Sequence, residues 1–509
     1  PLSAHETQAV TLALLLREIE GVPAGDRRTV GTGQDDVEGE GFGAVRRYNR
    51  LGNHNIGGLA RVGERNSGGR TRNRRDRVAR SRCRCAAVIT DGRIKGRGVR
   101  RRQVLRHDQL IALRDGQLLR VPALQRELGF SLEDARNFAF IGCQEITGSG
   151  NDYPAPNGSA MGHSGIYWAI VLDMVINNGV NPMNGASAPE RMKFGYLPDF
   201  KTYEELLSAY EKTCDWMLTW SASLNNFTEH EFYRLFPLPN LSITTEGCME
   251  SGKDVSEGGA KYNSYGGTAT GLATSADSLT AIKYMIYDKK LVDAQTYLDA
   301  VLANWEGTEY EALRQRILHE VPHYGNNDPY ADEQMKYMID LYYNLSRKYS
   351  THRAKVYKCG TFGASDHVVQ GEITWATPDG RKTGEPIADA SSPAQGRDTN
   401  GPTSVFNSST FYDHSRYMDG MALNLKLHPT SLRGQDGVTK VEDMTKAYFE
   451  QGGMEVQYNV VDTNTLRKAQ EHPEDYHNLV VRIAGFSAYF VDMTEQMQDD
   501  IIARYEHTI

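Results

Sequence analysis

From Val121 onward the sequence predicts a mixed α/β fold in which helices dominate, and over residues 1–120 it predicts irregular structure. Three observations carry this. Long segments place apolar residues at helical spacing with acids near their starts, and shorter apolar runs fall between them. The composition also changes abruptly near residue 120. No repeat of fixed period runs through the chain.

Residues 1–120 hold two dozen Arg but one Lys (Lys95), one Phe (Phe42), one Tyr (Tyr48) and neither Met nor Trp. Their basic residues outnumber Asp and Glu by twelve, which leaves −20 on the rest of the chain to reach the total of −8. Too few large apolar side chains are present there to offset chain entropy with a core. Basic runs such as Arg72-Asn73-Arg74-Arg75-Asp76-Arg77 and Arg97-Gly98-Val99-Arg100-Arg101-Arg102 suit phosphate backbones by charge, but no aromatic residues interleave them. Three readings stay open for this segment: a coding strand translated in the wrong frame, a disordered basic segment, and, least favoured, a nucleic-acid-binding arm.

Beyond it, Ser131-Leu132-Glu133-Asp134-Ala135 supplies a cap residue and early acids, the pattern of a helix start. Residues 164–177 are apolar enough for a buried helix that stops near Asn177-Asn178-Gly179. Residues 202–219, 276–288, 292–304, 308–320 and 331–349 also read as helices. Strands are expected at Val356–Tyr357, Leu423–Leu427, Val456–Val461 and Leu479–Ile483.

A length of 509 residues allows two to four domains, and 39% hydrophobic with 24% charged residues is a globular composition. The net charge of −8 gives no overall signal for nucleic acid or membrane. No run of eighteen apolar residues offers a transmembrane helix, and Pro1-Leu2-Ser3 does not open a secretory signal. The absence of an initiator Met leads us to expect a piece of a longer protein. Six cysteines (Cys83, Cys85, Cys143, Cys214, Cys248, Cys359) are too scattered for a disulfide scaffold, so a reducing cytoplasm is the expected location. Cys83-Arg84-Cys85 has no second pair to complete a zinc site, and Gly258-Gly259 and Gly266-Gly267 fit no phosphate-loop pattern. No metal and no bound cofactor is expected.

Two short segments hold the chemistry. Near the C-terminus stands Val480-Val481-Arg482-Ile483-Ala484-Gly485-Phe486-Ser487-Ala488-Tyr489-Phe490, preceded by Glu471-His472-Pro473. Far upstream stands Gly142-Cys143-Gln144-Glu145. Between them lie "GKDVSEGGAKYNSYGGTATGLATSADSLTAIK" at 252–283, "ATPDGRKTGEPIADASSP" at 376–393 and "GGMEVQYNVVDTNTLRKAQEHP" at 452–473. Several separated blocks in this order resemble the glycyl radical enzymes, and the resemblance covers most of residues 121–509.

The resemblance implies that Gly485 carries a post-translational glycyl radical and that Cys143 becomes a thiyl radical able to take hydrogen from a substrate. A Cα radical on glycine is delocalised over the flanking amide groups, and its planar centre has no Cβ to accommodate. Removal of that hydrogen exceeds any side-chain acid or base, and in the family a separate iron–sulfur activase using S-adenosylmethionine does it. Glu145, two residues after Cys143, is implied as general base or acid. Gly247-Cys248-Met249-Glu250 repeats the spacing, but it leads into Ser251-Gly252-Lys253-Asp254-Val255, similar to a structural segment of the family. Cys143 is therefore the expected thiyl residue and Cys248 a buried structural thiol.

The acyl-transferring members use two adjacent cysteines, and this sequence has no Cys-Cys. A single Cys with Glu at plus two resembles the eliminating dehydratases and C–N or C–S lyases, with arylacetate decarboxylases as the alternative enzyme class. An inactive fragment with a basic nucleic-acid-binding arm is the non-enzyme alternative. After Glu145 the family's usual Pro is replaced by Ile146-Thr147-Gly148-Ser149-Gly150-Asn151-Asp152-Tyr153, so the substrate stays open. Tyr153, His163, Asp366 and His367 are polar candidates for the pocket, and Asp277 is expected to cap the helix that follows it.

The implied architecture is the C-terminal half of an α/β barrel with helices outside and the Cys and Gly loops meeting inside. Residues 121–389 would form the second barrel half and 390–509 the glycine radical domain. Expected partners are the activating enzyme, a small-molecule substrate and a second copy in a homodimer, with no membrane.

Overall fold

Among the described residues the two longest helices, Tyr203–Leu235 and Pro329–Ser346, each start at a capping side chain, Thr202 and Asp328. In the computed structural model, residues 109–113, 120–141, 144–153, 166–355, 357–361, 363 and 365–509 are described. They all fall in one of the chain's two units, Pro1–Arg17 with Ala86–Ile509, while the other, Glu18–Cys85, lies outside the described residues. Ser131 caps the short helix Leu132–Arg136 by accepting the N–H of Asp134 at 3.1 Å. The apolar segment expected at 164–177 is the helix Trp168–Ile176, all of it buried except Ile170.

Two helices run beyond their expected bounds, each for a tertiary reason. The helix expected over 202–219 continues as Tyr203–Leu235, although beyond residue 219 it buries only Ala222, Asn225 and Glu229. Glu229, buried on that extension, is held by Arg353 Nη2 at 2.6 Å and Nε at 2.9 Å. The helix expected from residue 276 starts at Leu272, after Gly271 at φ +76°, and is buried over its whole length to Ile282. Its small residues let neighbours approach from every side. Asp277 therefore lies inside this helix rather than capping it, and its Oδ1 accepts the N–H of Tyr324 at 2.8 Å. The helix passes into a π-helical turn, Lys283–Asp288, followed by Ala294–Leu302, Thr308–Glu320 and Pro329–Ser346.

Twelve short strands are found among the described residues: β1 (Gln109–Leu113), β2 (Ala139–Ile141), β3 (Glu145–Thr147), β4 (Asp152–Tyr153), β5 (Tyr262–Asn263), β6 (Tyr265–Ala269), β7 (Tyr357–Thr361), β8 (Asn424–Leu427), β9 (Glu455–Val460), β10 (Val480–Arg482), β11 (Ser487–Tyr489) and β12 (Glu506–His507). Four make one sheet in the order β1-β9-β8-β12, with β1 antiparallel and the others parallel. β1 lies within the segment expected to be irregular and pairs Gln109 with Asn459 through Leu113 with Glu455. β6 and β7 form a separate parallel pair with Gly266 opposite Lys358. A Cβ on Gly266 would stand 2.2 Å from the Lys358 carbonyl oxygen, so the glycine is what lets this strand pair form.

The main core gathers Trp168, Tyr210, Tyr297 and Tyr342 from the helices and Trp305 and Tyr324 from the connections between them. On β9, Val456, Tyr458 and Val460 pack against Leu423, Leu425, Leu427, Met444 and Tyr448. Their alternation sends Glu455, Gln457 and Asn459 to the other face. A third cluster of Val368, Leu466, Val481, Ile483, Phe490 and Ile501 seats the β10–β11 hairpin.

Candidate active site

The C-terminal chemistry sits on a hairpin. β10 and β11 pair Val480 with Tyr489, Val481 with Ala488 and Arg482 with Ser487, and the turn closes through the Ile483 N–H on the Phe486 carbonyl at 3.0 Å. Ile483 and Ala484 are buried and Phe486 is exposed. Between them Gly485 adopts φ +85°, a conformation that strains any residue with a Cβ.

The polar face of β9 grips this turn. Gln457 Oε1 accepts the Gly485 N–H at 2.7 Å and Arg482 Nε at 2.8 Å, while Gln457 Nε2 donates to Glu455 Oε1 at 2.7 Å. Asn459 accepts the Arg482 N–H at 2.6 Å and donates to its carbonyl at 2.5 Å.

Beneath the turn lies a buried ionic cluster. Arg504 Nη1 donates to the Ile483 carbonyl at 3.1 Å, and its Nη2 lies 2.9 Å from Asp500 Oδ2 and 3.3 Å from Asp389 Oδ2. His367 Nε2 is 3.1 Å from Asp500 Oδ2, and its Nδ1 is 3.8 Å from Asp389 Oδ1. Burial pulls the imidazole pKa down, but Asp500 and Asp389 outweigh it and hold His367 above the ordinary histidine value. For Asp500 burial acts upward, and His367 with Arg504 holds the carboxyl below the usual carboxylate range. Burial pushes Asp389 up. Gln395 Nε2 and Asn424 Nδ2 complete the cluster, on Asp500 Oδ1 at 2.7 Å and Asp389 Oδ2 at 2.6 Å.

The upstream segment is built on β3. Glu145 is 2% exposed, and its Oε2 accepts the N–H of Gln144 at 3.0 Å. Cys143 itself lies outside the described residues, as does His163. Behind Glu145 is a buried ion pair, Lys358 Nζ to Asp419 Oδ1 at 2.7 Å, with Lys358 also 3.4 Å from the Ile146 carbonyl. Burial pushes Asp419 up to about 6, Lys358 opposing and the carboxylates of Glu145 and Asp152 adding to the rise.

One stretch of chain meets both chemical segments. The Gln144 side-chain amide donates to the carbonyl of Thr361, the last residue of β7. Two residues on, Gly363 packs on Ala484, where an added Cβ would stand 2.7 Å from the Ala484 Cβ. Two residues span at most about 7 Å. The chain neighbours of Cys143 and Gly485 are thus anchored to one short backbone segment.

The other sequence candidates separate. Tyr153 is buried with Cys248, Val255 and Ala260, and the Arg353 guanidinium lies 4.6 Å from its ring centre. Cys248 opens the short turn Cys248–Ser251, and burial pushes its thiol up. Asp366 begins the helix Asp366–Ile373 and accepts from Gln370, whereas His367 enters the ionic cluster. Sequence reasoning missed Gln457, Asn459, Arg504, Asp389 and Asp500. For the first two a signal existed: polar residues at every second position of Glu-Val-Gln-Tyr-Asn-Val, opposite the apolar face. The last three come from distant segments and had none. Among the described residues no group of His, Cys, Asp and Glu could hold a metal ion, and no helix is long and apolar enough to cross a membrane.

Known proteins resemble the chain over most of its described residues. Residues 115–371 match the family described as pyruvate formate lyase-like, and residues 387–491 match the glycine radical family. The chain is 36% identical over 384 residues to trans-4-hydroxy-L-proline dehydratase of Clostridioides difficile, covering 75% of this chain and 47% of that protein. It is 32% identical over 415 residues to the 4-hydroxyphenylacetate decarboxylase glycyl radical subunit of C. difficile strain 630, covering 74% and 45%. The glycerol-bound structure of the B12-independent glycerol dehydratase from Clostridium butyricum superposes with a TM-score of 0.72 at 31% identity, covering 78% of this chain and 49% of that one. The described fold is accordingly part of such an α/β barrel, and the chain spans slightly under half the length of these relatives.

Proposed function

The chain belongs to the pyruvate formate-lyase-like glycyl radical enzymes, and from that premise we propose that Gly485 carries the radical, Cys143 relays it and Glu145 moves the proton of a lyase reaction. An activating enzyme of the radical S-adenosylmethionine type removes one hydrogen atom from the Gly485 Cα. The glycyl radical takes the hydrogen atom of the Cys143 thiol, which restores Gly485 and leaves a thiyl radical. The thiyl takes a hydrogen atom from a substrate carbon that bears a hydroxyl. Glu145 accepts that hydroxyl's proton and passes it to the group leaving from the next carbon. When that group is hydroxide, water departs. The product radical recovers a hydrogen atom from Cys143, and the thiyl then recovers its own from Gly485. The net change is loss of water, with the glycyl radical regenerated.

The anchoring of Gln144 and Ala484 to Thr361 and Gly363 is the observation that best supports this reading, since the relay needs the two loops together. The absence of adjacent cysteines and the likeness to dehydratases favour elimination over acyl transfer. The substrate class is a small hydroxylated molecule, the protein acts as a homodimer, and the oxygen-sensitive radical suits an anaerobic cytoplasm. Electron paramagnetic resonance on the anaerobically activated chain tests the scheme. A glycyl doublet is expected that Gly485→Ala removes and Cys143→Ala retains, with turnover lost in both. An activated chain with no doublet would reject the scheme. Carbon dioxide in place of an eliminated group would move the activity to the decarboxylases.

A further inference from the structure

We infer that Gln457 is a positioning residue for the glycyl centre, an inference that rests on Gly485 carrying the radical. The Gly485 amide N–H is the only backbone donor on that residue, and Gln457 Oε1 holds it at 2.7 Å. The glutamine cannot turn over without loss. Its oxygen serves two donors, Gly485 N and Arg482 Nε, while its nitrogen faces Glu455 Oε1, so the network fixes which end is which. Gln457 and Glu455 are each 1% exposed on a strand within a four-stranded sheet, so the acceptor is held by a rigid element.

Two consequences follow for the radical. A Cα radical on glycine is stabilised when its flanking amide planes are coplanar with the trigonal centre, so that their π orbitals overlap the unpaired orbital. At φ +85° the N-side amide of Gly485 stands nearly perpendicular to that plane, and the fixed acceptor on its N–H limits how far it turns into conjugation. An acceptor on the N–H also draws the proton outward and enriches the nitrogen that shares the spin. The Arg482 guanidinium on the same oxygen moderates this pull, and Asn459 clamps the Arg482 backbone so that the hairpin cannot slide along β9. Gln457 touches neither substrate nor thiol. Its action is through the Gly485 amide.

The test uses the whole chain in three measurements. Hydrogen exchange resolved to the Gly485 amide should show protection in the wild type and, in Gln457→Met, exchange about tenfold faster through loss of one buried hydrogen bond. The paired exchange Gln457→Glu with Glu455→Gln keeps the length, the acceptor toward Gly485 and a donor between the two side chains, so protection should return. After anaerobic activation, Gln457→Met should give a doublet of larger nitrogen coupling and altered lifetime, because the freed amide can turn toward the plane of the radical centre, and the paired exchange should restore both. If wild-type Gly485 exchanges freely, the inference fails whether or not Gln457→Met folds. It fails equally if folded Gln457→Met matches the wild type in line shape and lifetime, or if the folded paired exchange restores neither. A wild type that gives no doublet would instead reject the radical assignment, while the exchange result would still report on the hydrogen bond.

Discussion

Gly363 and Ala484 are in contact between the end of β7 and the glycyl hairpin. A Cβ on Gly363 would stand 2.7 Å from the Ala484 Cβ and 2.0 Å from Asp389 Oδ1. The absence of a side chain at 363 is what lets the turn bearing Gly485 sit against the strand that also anchors Gln144.

Gly363→Ala should therefore displace the glycyl turn. Overpacking of this kind costs about 1–3 kcal/mol, readable as a lower midpoint in urea unfolding. After activation the doublet should be weaker and shorter-lived than in the wild type. A variant of unchanged stability and unchanged doublet would show that the contact does not hold the turn.

Gly420 plays the same part for the upstream segment. It adopts φ +91°, and a Cβ there would stand 2.2 Å from the Gln144 carbonyl oxygen. Gly420→Ala should move Gln144 and with it Cys143, leaving the glycyl hairpin in place. The expected result is a normal doublet with turnover lost, the opposite of Gly363→Ala. Full turnover in this variant would separate Gly420 from the site.

The buried pair Lys358–Asp419 gives a stability prediction. Removing one partner of such a pair costs about 3–5 kcal/mol because the other charge stays buried and unpaired. Lys358→Met should show this in equilibrium unfolding near neutral pH. Asp419 sharpens it, because burial raises its carboxyl from 3.8 to about 6. A folded state that holds the proton more tightly than the unfolded chain loses stability as pH rises from 3.8 through about 6. Lys358→Met removes the cation that opposes this rise, so its deficit should shrink in acid. A deficit that does not change between pH 7 and pH 5 would contradict the assignment.

His367 titrates with the opposite consequence for its charged form. Its folded pKa is raised by Asp500 and Asp389 against the cost of burial, with Arg504 also facing it. The stabilisation is complete below the unfolded histidine value of about 6.5 and is lost as pH rises through the folded value. His367→Gln should be less stable than the wild type at pH 6, and the gap should narrow in alkali. Thermal unfolding at a series of pH values measures it. A gap that widens above pH 7 would mean that the imidazole is buried neutral.

By itself the sequence determined the family resemblance, the main helices between residues 131 and 349, the strands near 423–427, 456–461 and 479–483, and the identity of Gly485, Cys143 and Glu145 as candidates. Those features are local: a cap at Ser131, an apolar run over 164–177, a signature around Gly485. The strand at 456–461 was legible from its apolar residues, yet its functional face is the other one, where Glu455, Gln457 and Asn459 meet the hairpin. Only tertiary structure decided that Tyr203–Leu235 continues past residue 219, because the Glu229–Arg353 pair that holds its extension joins residues far apart in sequence. Only tertiary structure placed His367 with Asp389, Asp500 and Arg504, and Gln144 and Ala484 on one strand end. Periodicity tells which face of an element is buried, whereas the partner that buries it is chosen by packing among distant segments. That choice is what turns a glycine and a glutamine from separate motifs into one site.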